Sequence, residues 1–335
     1  MAYSEQRAED GMQRQAVQHW SLSTTRRLST EGENEGKRLK PLTRPGWLRE
    51  IVWPFQTSGL EVDGRTIAVT DVGRGPVLLF VHTGFWSFIW RDVIRRLSSD
   101  FRCVCFDSPG TGLSDRAPGE NLSLENASSA VTAIIESLNL KNLTLVIHDL
   151  GGMVGLAGAA KFPERVSGIA AVNTFAWKPS DPKLRLMLAL VGNSAMREFD
   201  VVTKLIPRIT TSSFGIGRHL DLTARSVFLS GIGREGIRAF HYYMRDARRC
   251  DQLYEKVGAA LKGPFRHLPL ITIFGERNDP FGFQLRWKAL YPDARQMVIH
   301  KGDHFPMCDE PELVADTLRD WHRTQVIPDS GLPAE

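Results

Sequence analysis

The sequence is short of several things. Its 335 residues include only four cysteines. No two of these form a CxxC pair, and none joins a histidine at metal-ligand spacing. A disulfide framework and a structural zinc site are therefore not expected, and a reduced, cytoplasmic protein is. No apolar run reaches the roughly 18 residues of a membrane span. The N-terminus lacks the basic patch and apolar stretch of a secretory signal. Net charge is only +4. Lys and Arg are scattered rather than interleaved with aromatics, so nucleic acid is not an expected partner. No Gly-x-Gly-x-x-Gly follows the first parallel strand, which argues against a dinucleotide cofactor. A Gly-x-Ser-x-Gly elbow is missing too, which argues against a serine esterase.

What is present is a large apolar fraction, 42% of residues, enough for one sizeable core with an inserted lobe. Residues 1–45 are polar, with few aliphatics, and read as a disordered arm. From Leu60 the pattern is regular. "LEVDGRTIAVTDVG" is a hairpin turning at Asp63-Gly64. "PVLLFVH", "FRCVCFD", "NLTLVIHD" and "RVSGIAAVNT" are apolar runs of buried-strand length, separated by stretches of helical spacing. In one of these, Ser123 is placed to cap a helix, with Asn126 at the partner position of a capping box. The alternation predicts a mostly parallel sheet flanked by helices over 46–175 and 263–325. Between these, 176–262 is Arg-rich and helical in pattern, and reads as an inserted lobe.

Unusual polar residues follow the strand-like runs. His82 follows "LLFV", Asp149 follows "LVIH", Asp279 follows "ITIFGERN" and His304 follows "VIHKGD". In an open α/β sheet, ligands bind beyond the carboxyl ends of the strands. Asp149, Asp279 and His304 stand in the chain order of a nucleophile, an acid and a base. "HDLGG" has the form of a tight strand-turn-helix elbow, with Asp149 where a serine commonly stands. A carboxylate is ionised at neutral pH and attacks saturated carbon to give an ester that water can cleave. His304 would activate that water, with Asp279 orienting the imidazole. Backbone N–H groups of Leu150 and of the loop after His82 would hold an oxyanion. His148 reads as a buried histidine with its hydrogen bonds met, or as support for the elbow.

"LLFVHTGFWSFIWRDVIRRLSSDFRCVCFDSPGTGLSD", "LVIHDLGG", "ITIFGERNDP" and "KGDHFPMCDEPELVADTL" resemble the α/β-hydrolase fold, and more narrowly its haloalkane dehalogenase and epoxide hydrolase branches. The resemblance implies an α/β-hydrolase core with a helical cap, an Asp149 nucleophile, a small apolar substrate and no cofactor or metal. Dehalogenases usually carry Trp directly after the nucleophile, where this chain has Leu150. Gly84 stands where a second halide donor, Asn, is usual, with Phe85 next to it. Trp86 and Trp177 are the candidate replacements as leaving-group donors. An epoxide hydrolase needs cap tyrosines as acids, for which Tyr242 and Tyr243 are the candidates. The expected activity is dehalogenase-like hydrolysis of carbon–halogen bonds. The alternatives are an epoxide hydrolase and a non-catalytic homologue that binds a ligand in the same pocket.

Overall fold

The computed structural model describes residues 39–115, 122–213 and 215–326. Among these, nine strands form one sheet in the order β1-β2-β3-β5-β4-β6-β7-β8-β9. They are β1 (Lys40–Pro41), β2 (Thr57–Val62), β3 (Arg65–Val72), β4 (Val77–Thr83), β5 (Arg102–Phe106), β6 (Leu143–Asp149), β7 (Val166–Thr174), β8 (Leu270–Gly275) and β9 (Arg295–Ile299). The first three strands and the β3–β5 pair are antiparallel, and every pairing from β5 to β9 is parallel. The hairpin turns where expected, with Asp63 and Gly64 both at positive φ (49° and 73°), as a two-residue turn between twisted strands requires.

Helices cover both faces. On one lie α1 (Arg91–Leu97) and, introduced here out of chain order, α11 (Pro311–Trp321), which pack together. Against the other lie α2 (Leu124–Ser137) and α3 (Gly151–Ala159). The α2 cap is as read from the sequence. Ser123 Oγ accepts from the Asn126 N–H, and Asn126 Oδ1 accepts from the Ser123 N–H. Helix α3 is buried on every side, consistent with its lack of polar residues.

Between β7 and β8 the chain is helical. It forms α4 (Pro182–Val191), α5 (Ser194–Thr203), α6 (Leu205–Thr210), α7 (Leu222–Asp246) and α8 (Asp251–Lys262). Helix α7 bends at Gly233, whose φ is 54° and ψ −171°. Helix α8 packs on α3. After β8 come α9 (Phe283–Leu290), α10 (Pro306–Asp309) and α11.

Part of the stretch read as an arm, 1–45, is paired with the sheet. Residues 39–45 are tied down: Lys40–Pro41 pair with β2, and the Arg44 guanidinium donates to the carbonyls of Trp53 (2.6 Å) and Phe55 (3.0 Å). The remaining residues of the arm, 1–38, lie outside the described residues. All four cysteines are free, and burial raises the thiol pKa of Cys103 and Cys105 on β5.

The topology places the site. From β4 the chain steps by α1 to β5 on one side, then returns by α2 to β6 on the other. The ends of β4 and β6 are therefore adjacent, with Thr83 paired to Asp149. This is the switch point at which doubly wound sheets bind ligands.

Candidate active site

Asp149 ends β6 with φ 51°, a left-handed conformation that a non-glycine residue adopts at some cost. Its neighbours have to be small. A Cβ on Gly151 would lie 2.3 Å from the Val81 carbonyl oxygen, and one on Gly152 2.2 Å from Thr174 Oγ1. The elbow is held from β7 by Thr174 Oγ1, which donates to the Asp149 carbonyl at 2.6 Å. Trp287 of α9 in turn donates to the Thr174 carbonyl at 2.8 Å.

His304 faces the elbow, with Nε2 3.6 Å from Asp149 Oδ2. That spacing is contact without a direct hydrogen bond. On its other side His304 Nδ1 lies 3.0 Å from Asn278 Oδ1. The partner of His304 is thus Asn278 and not Asp279. The Asp279 carboxylate accepts from the backbone N–H groups of Phe283 (2.7 Å) and Gln284 (2.9 Å). It caps α9 and is turned away from the imidazole.

Asn278 is itself placed by Asn173, a polar residue near the end of β7 with φ 35°. Asn173 Oδ1 accepts from the Gly275 N–H at 2.8 Å. Its Nδ2 donates to the Asp303 carbonyl at 3.1 Å and lies 3.4 Å from Asn278 Oδ1. One amide therefore joins β7, β8 and the loop that carries His304. With Asn173 donating to it, Asn278 Oδ1 is an acceptor, so His304 carries a proton on Nδ1, and Nε2 is the nitrogen turned to Asp149.

Beneath the site lie two histidines. His82 Nε2 accepts from the Phe85 N–H (3.3 Å), the two Nδ1 atoms of His82 and His148 are 3.0 Å apart, and His148 Nε2 lies 2.9 Å from the His304 carbonyl. Only one proton arrangement satisfies all three bonds: His82 donates from Nδ1 to His148, and His148 donates from Nε2 to His304. Both rings are neutral. Burial, and then the nearness of His304, pushes His82 down to about 3 and His148 well below its ordinary value.

The cap also grips the His304 loop. Arg218 reaches the Asp303 carboxylate, the Lys301 carbonyl (3.1 Å) and, at 3.6 Å, Asp309. Asp309 is buried, which raises its pKa, and accepts from the Asp303 N–H at 2.7 Å.

Asp149, Leu150, Asn173, Asn278 and His304 form the floor of a cavity of about 410 Å³. Its roof comes from the cap: Leu184, Met187, Leu188 and Val191 of α4, Ile206 of α6 and Met244 of α7. Phe85, Phe175, Phe281 and Phe283 complete the walls. Apart from the floor and Thr210 the lining is apolar, so it suits an apolar guest.

Several residues singled out in the sequence lie elsewhere. Trp86 is buried against Trp53, Phe88 and Phe228, and its indole donates to the Phe228 carbonyl at 3.1 Å. Trp177 packs on Phe283 and Trp287 beneath the Arg286 guanidinium. Neither lines the cavity, so neither is placed to meet a leaving group. The Tyr243 hydroxyl donates to the Pro109 carbonyl at 2.6 Å, and the Tyr242 ring is faced by Arg197 and Arg245. Among the described residues no tyrosine lines the cavity. The epoxide hydrolase reading thereby loses its acids. Gly84 adopts φ 125° with the Phe240 ring packed above it. The Phe85 N–H, expected at an oxyanion, is engaged by His82. Leu150, the other expected donor, stands at the head of α3 and lines the cavity.

Sequence reading missed Asn278 and Asn173. Asn173 had a signal, since it is an amide inside an otherwise apolar buried run. Asn278 stands one position before the acid that drew attention.

Comparison with known proteins agrees with this architecture. The model of the alpha/beta hydrolase fold family matches residues 76–199. The chain is 28% identical over 284 residues to a cis-3-alkyl-4-alkyloxetan-2-one decarboxylase of Shewanella oneidensis, covering 81% of this chain and 89% of that protein. It is 26% identical over 279 residues to haloalkane dehalogenase 2 of Mycobacterium tuberculosis, covering 80% and 95%. Among solved structures, a point variant of haloalkane dehalogenase DatA from Agrobacterium tumefaciens superposes with a TM-score of 0.67. It is 21% identical, with 79% of this chain and 96% of that one covered.

Proposed function

We propose that this chain, which has the α/β-hydrolase fold and dehalogenase and decarboxylase relatives, is an enzyme that displaces a leaving group from saturated carbon in a small apolar substrate. Asp149 is the nucleophile and His304 the base. The observation that carries this reading is a carboxylate held at an elbow on the floor of an apolar cavity, 3.6 Å from the imidazole nitrogen that is not bonded to Asn278. In the first step an Asp149 oxygen bonds to the substrate carbon as the leaving group departs with its bonding pair. In the second, His304 Nε2 takes a proton from water and the resulting hydroxide adds to the Asp149 carboxyl carbon. The alcohol then leaves, and the carboxylate is restored. With halide as the leaving group this is dehalogenase-like hydrolysis, a reading supported by the mycobacterial relative.

A second reading is favoured by the cavity wall, which presents neither Trp86 nor Trp177 to a departing halide and has Leu150 in place of an indole. A halide in a dry site needs donors. A four-membered lactone releases no anion, because its leaving carboxylate stays attached until it departs as neutral carbon dioxide. Asp149 attack at ring carbon 4 breaks the C4–O bond and frees that carboxylate. The C3–carboxylate bonding pair then forms the C3–C4 double bond, expelling carbon dioxide and the Asp149 carboxylate. Inversion followed by anti elimination turns a cis lactone into a cis alkene. No water is consumed, so His304 is dispensable.

Two variants test both readings. Asp149→Asn should abolish turnover of brominated alkanes and of cis-oxetanones, by roughly 10⁴-fold or more. Turnover within tenfold of wild type, without deamidation back to Asp, overturns Asp149 as the nucleophile; no turnover of either substrate by wild type leaves a ligand-binding homologue as the reading. His304→Phe should accumulate an alkyl ester on the Asp149 peptide with a bromoalkane, seen by mass spectrometry. The same variant should still convert an oxetanone if the second reading holds.

A further inference from the structure

The cap presents an outer face rich in exposed apolar side chains. Thirteen large hydrophobic side chains are exposed among the described residues, and seven of them fall within residues 186–209 on α4, α5 and α6. On α4, Lys183, Leu186, Met187 and Leu190 recur at the spacing of one helix face, and all are exposed. Phe199 and Val202 of α5 are 53% and 78% exposed, and Leu205 and Ile209 of α6 are exposed as well. Scattered exposed apolar residues are ordinary; a cluster on adjoining helices marks an interaction surface. Helices α4 and α5 pack side by side. The inward faces of α4 and α6 supply the cavity roof, and Met187 belongs to both surfaces.

The charges on these helices are one-sided. Lys183, Arg185, Lys204 and Arg208 are exposed, and among the described residues none of them makes a salt bridge. The acids nearby are committed. Asp181 caps α4, Asp200 is buried against His241 and the Ile206 N–H, and Glu198 pairs with Arg197 and Arg238. Exposed aliphatic and aromatic side chains flanked by unpaired cations are the signature of helices that lie in the interface of an anionic membrane.

We propose that the outer face of α4, α5 and α6 docks on an anionic lipid bilayer, from which apolar substrate enters the cavity beneath. Docking stands on this surface alone; delivery of substrate rests also on the function proposed above.

The test uses the full chain and vesicles of phosphatidylglycerol or phosphatidylcholine. Wild type should sediment with phosphatidylglycerol vesicles, weakly with phosphatidylcholine, and be released as salt is raised to ~0.5 M. The double variant Leu186→Glu, Val202→Glu changes no residue that lines the cavity. It should lose roughly tenfold or more in vesicle affinity and keep the wild-type melt and its turnover of a water-dissolved short-chain substrate. Turnover of a vesicle-dissolved long-chain substrate should fall in parallel with binding. Docking is overturned if wild type ignores phosphatidylglycerol, or if the variant binds it equally well. It is overturned too if light scattering shows a dimer that the variant disperses, since the face is then a contact between two copies of this chain. Normal docking with no turnover of any substrate by wild type would leave the membrane surface standing and count against the proposed chemistry instead.

Discussion

The floor and the roof of the cavity are built on opposite principles. On the floor, polar atoms are held by hydrogen bonds to main chain from strands distant in sequence: Asn173 to Gly275 and Asp303, Thr174 to Asp149, His148 to His304. The roof turns aliphatic side chains of short helices to the cavity, and the polar links that tie those helices to α7, from His241 to the Val191 carbonyl and Asp200, lie outside the lining. Directional bonds fix atoms to a fraction of an ångström, which bond-making requires. Packing of Leu and Met tolerates changes of shape, which suits selection among apolar guests. Changes below should therefore alter rate or stability, and changes above should alter affinity.

The largest effect expected from this contrast is on stability. His82 and His148 are neutral when folded and titrate near 6.5 when unfolded. Their folded pKa values are depressed, so the unfolded chain binds more protons below that point. Stability is complete above about pH 6.5 and falls as pH drops, until the folded value of His82, about 3, is reached. The slope is about 1.4 kcal/mol per pH unit for each ring. Chemical denaturation at pH 7 and pH 5 measures it. A flat profile between those values would mean that the pair is not buried and neutral.

Next in size is the orientation of His304. Asn278→Ala should lower kcat by about 10²-fold and leave KM near wild type. Asn278→Asp should retain the hydrogen bond and add a charge beside the imidazole. That raises the imidazole pKa by roughly one unit or more and moves the acid limb of the pH–rate profile upward by the same amount. An unmoved limb would show that residue 278 does not face the base.

The smallest effect is above. Leu188→Ala enlarges the roof, and should raise KM for short substrates by about tenfold or less while kcat stays within twofold. A large fall in kcat would mean that the roof also positions the reacting carbon, and the contrast would fail.

Local patterns were enough to read the sheet. Runs such as "VLLFVH" and "LVIHD" announce strands, Asp63-Gly64 announces its turn, and Asp149 stands out because a carboxylate at a buried strand end needs a reason. Roles that depend on partners far along the chain were not legible. The Trp86 indole is taken by Phe228, 142 residues on, and the Tyr243 hydroxyl by Pro109, 134 residues back. Choosing between Asn278 and Asp279 depended on the path of a few loop residues. Asp279 lies just ahead of α9, where a carboxylate finds free N–H groups, and that local competition removed it from the site.

The left-handed backbone of Asp149 is a standing mechanical load on the fold. A residue with a short amide side chain sits in that region more easily than most, and glycine sits there freely. Asp149→Asn is therefore expected to melt no lower than wild type, whatever becomes of its activity. Asp and Asn share this tolerance of the left-handed region, so the backbone does not select between them, and a stability screen alone would accept the amide in place of the proposed nucleophile.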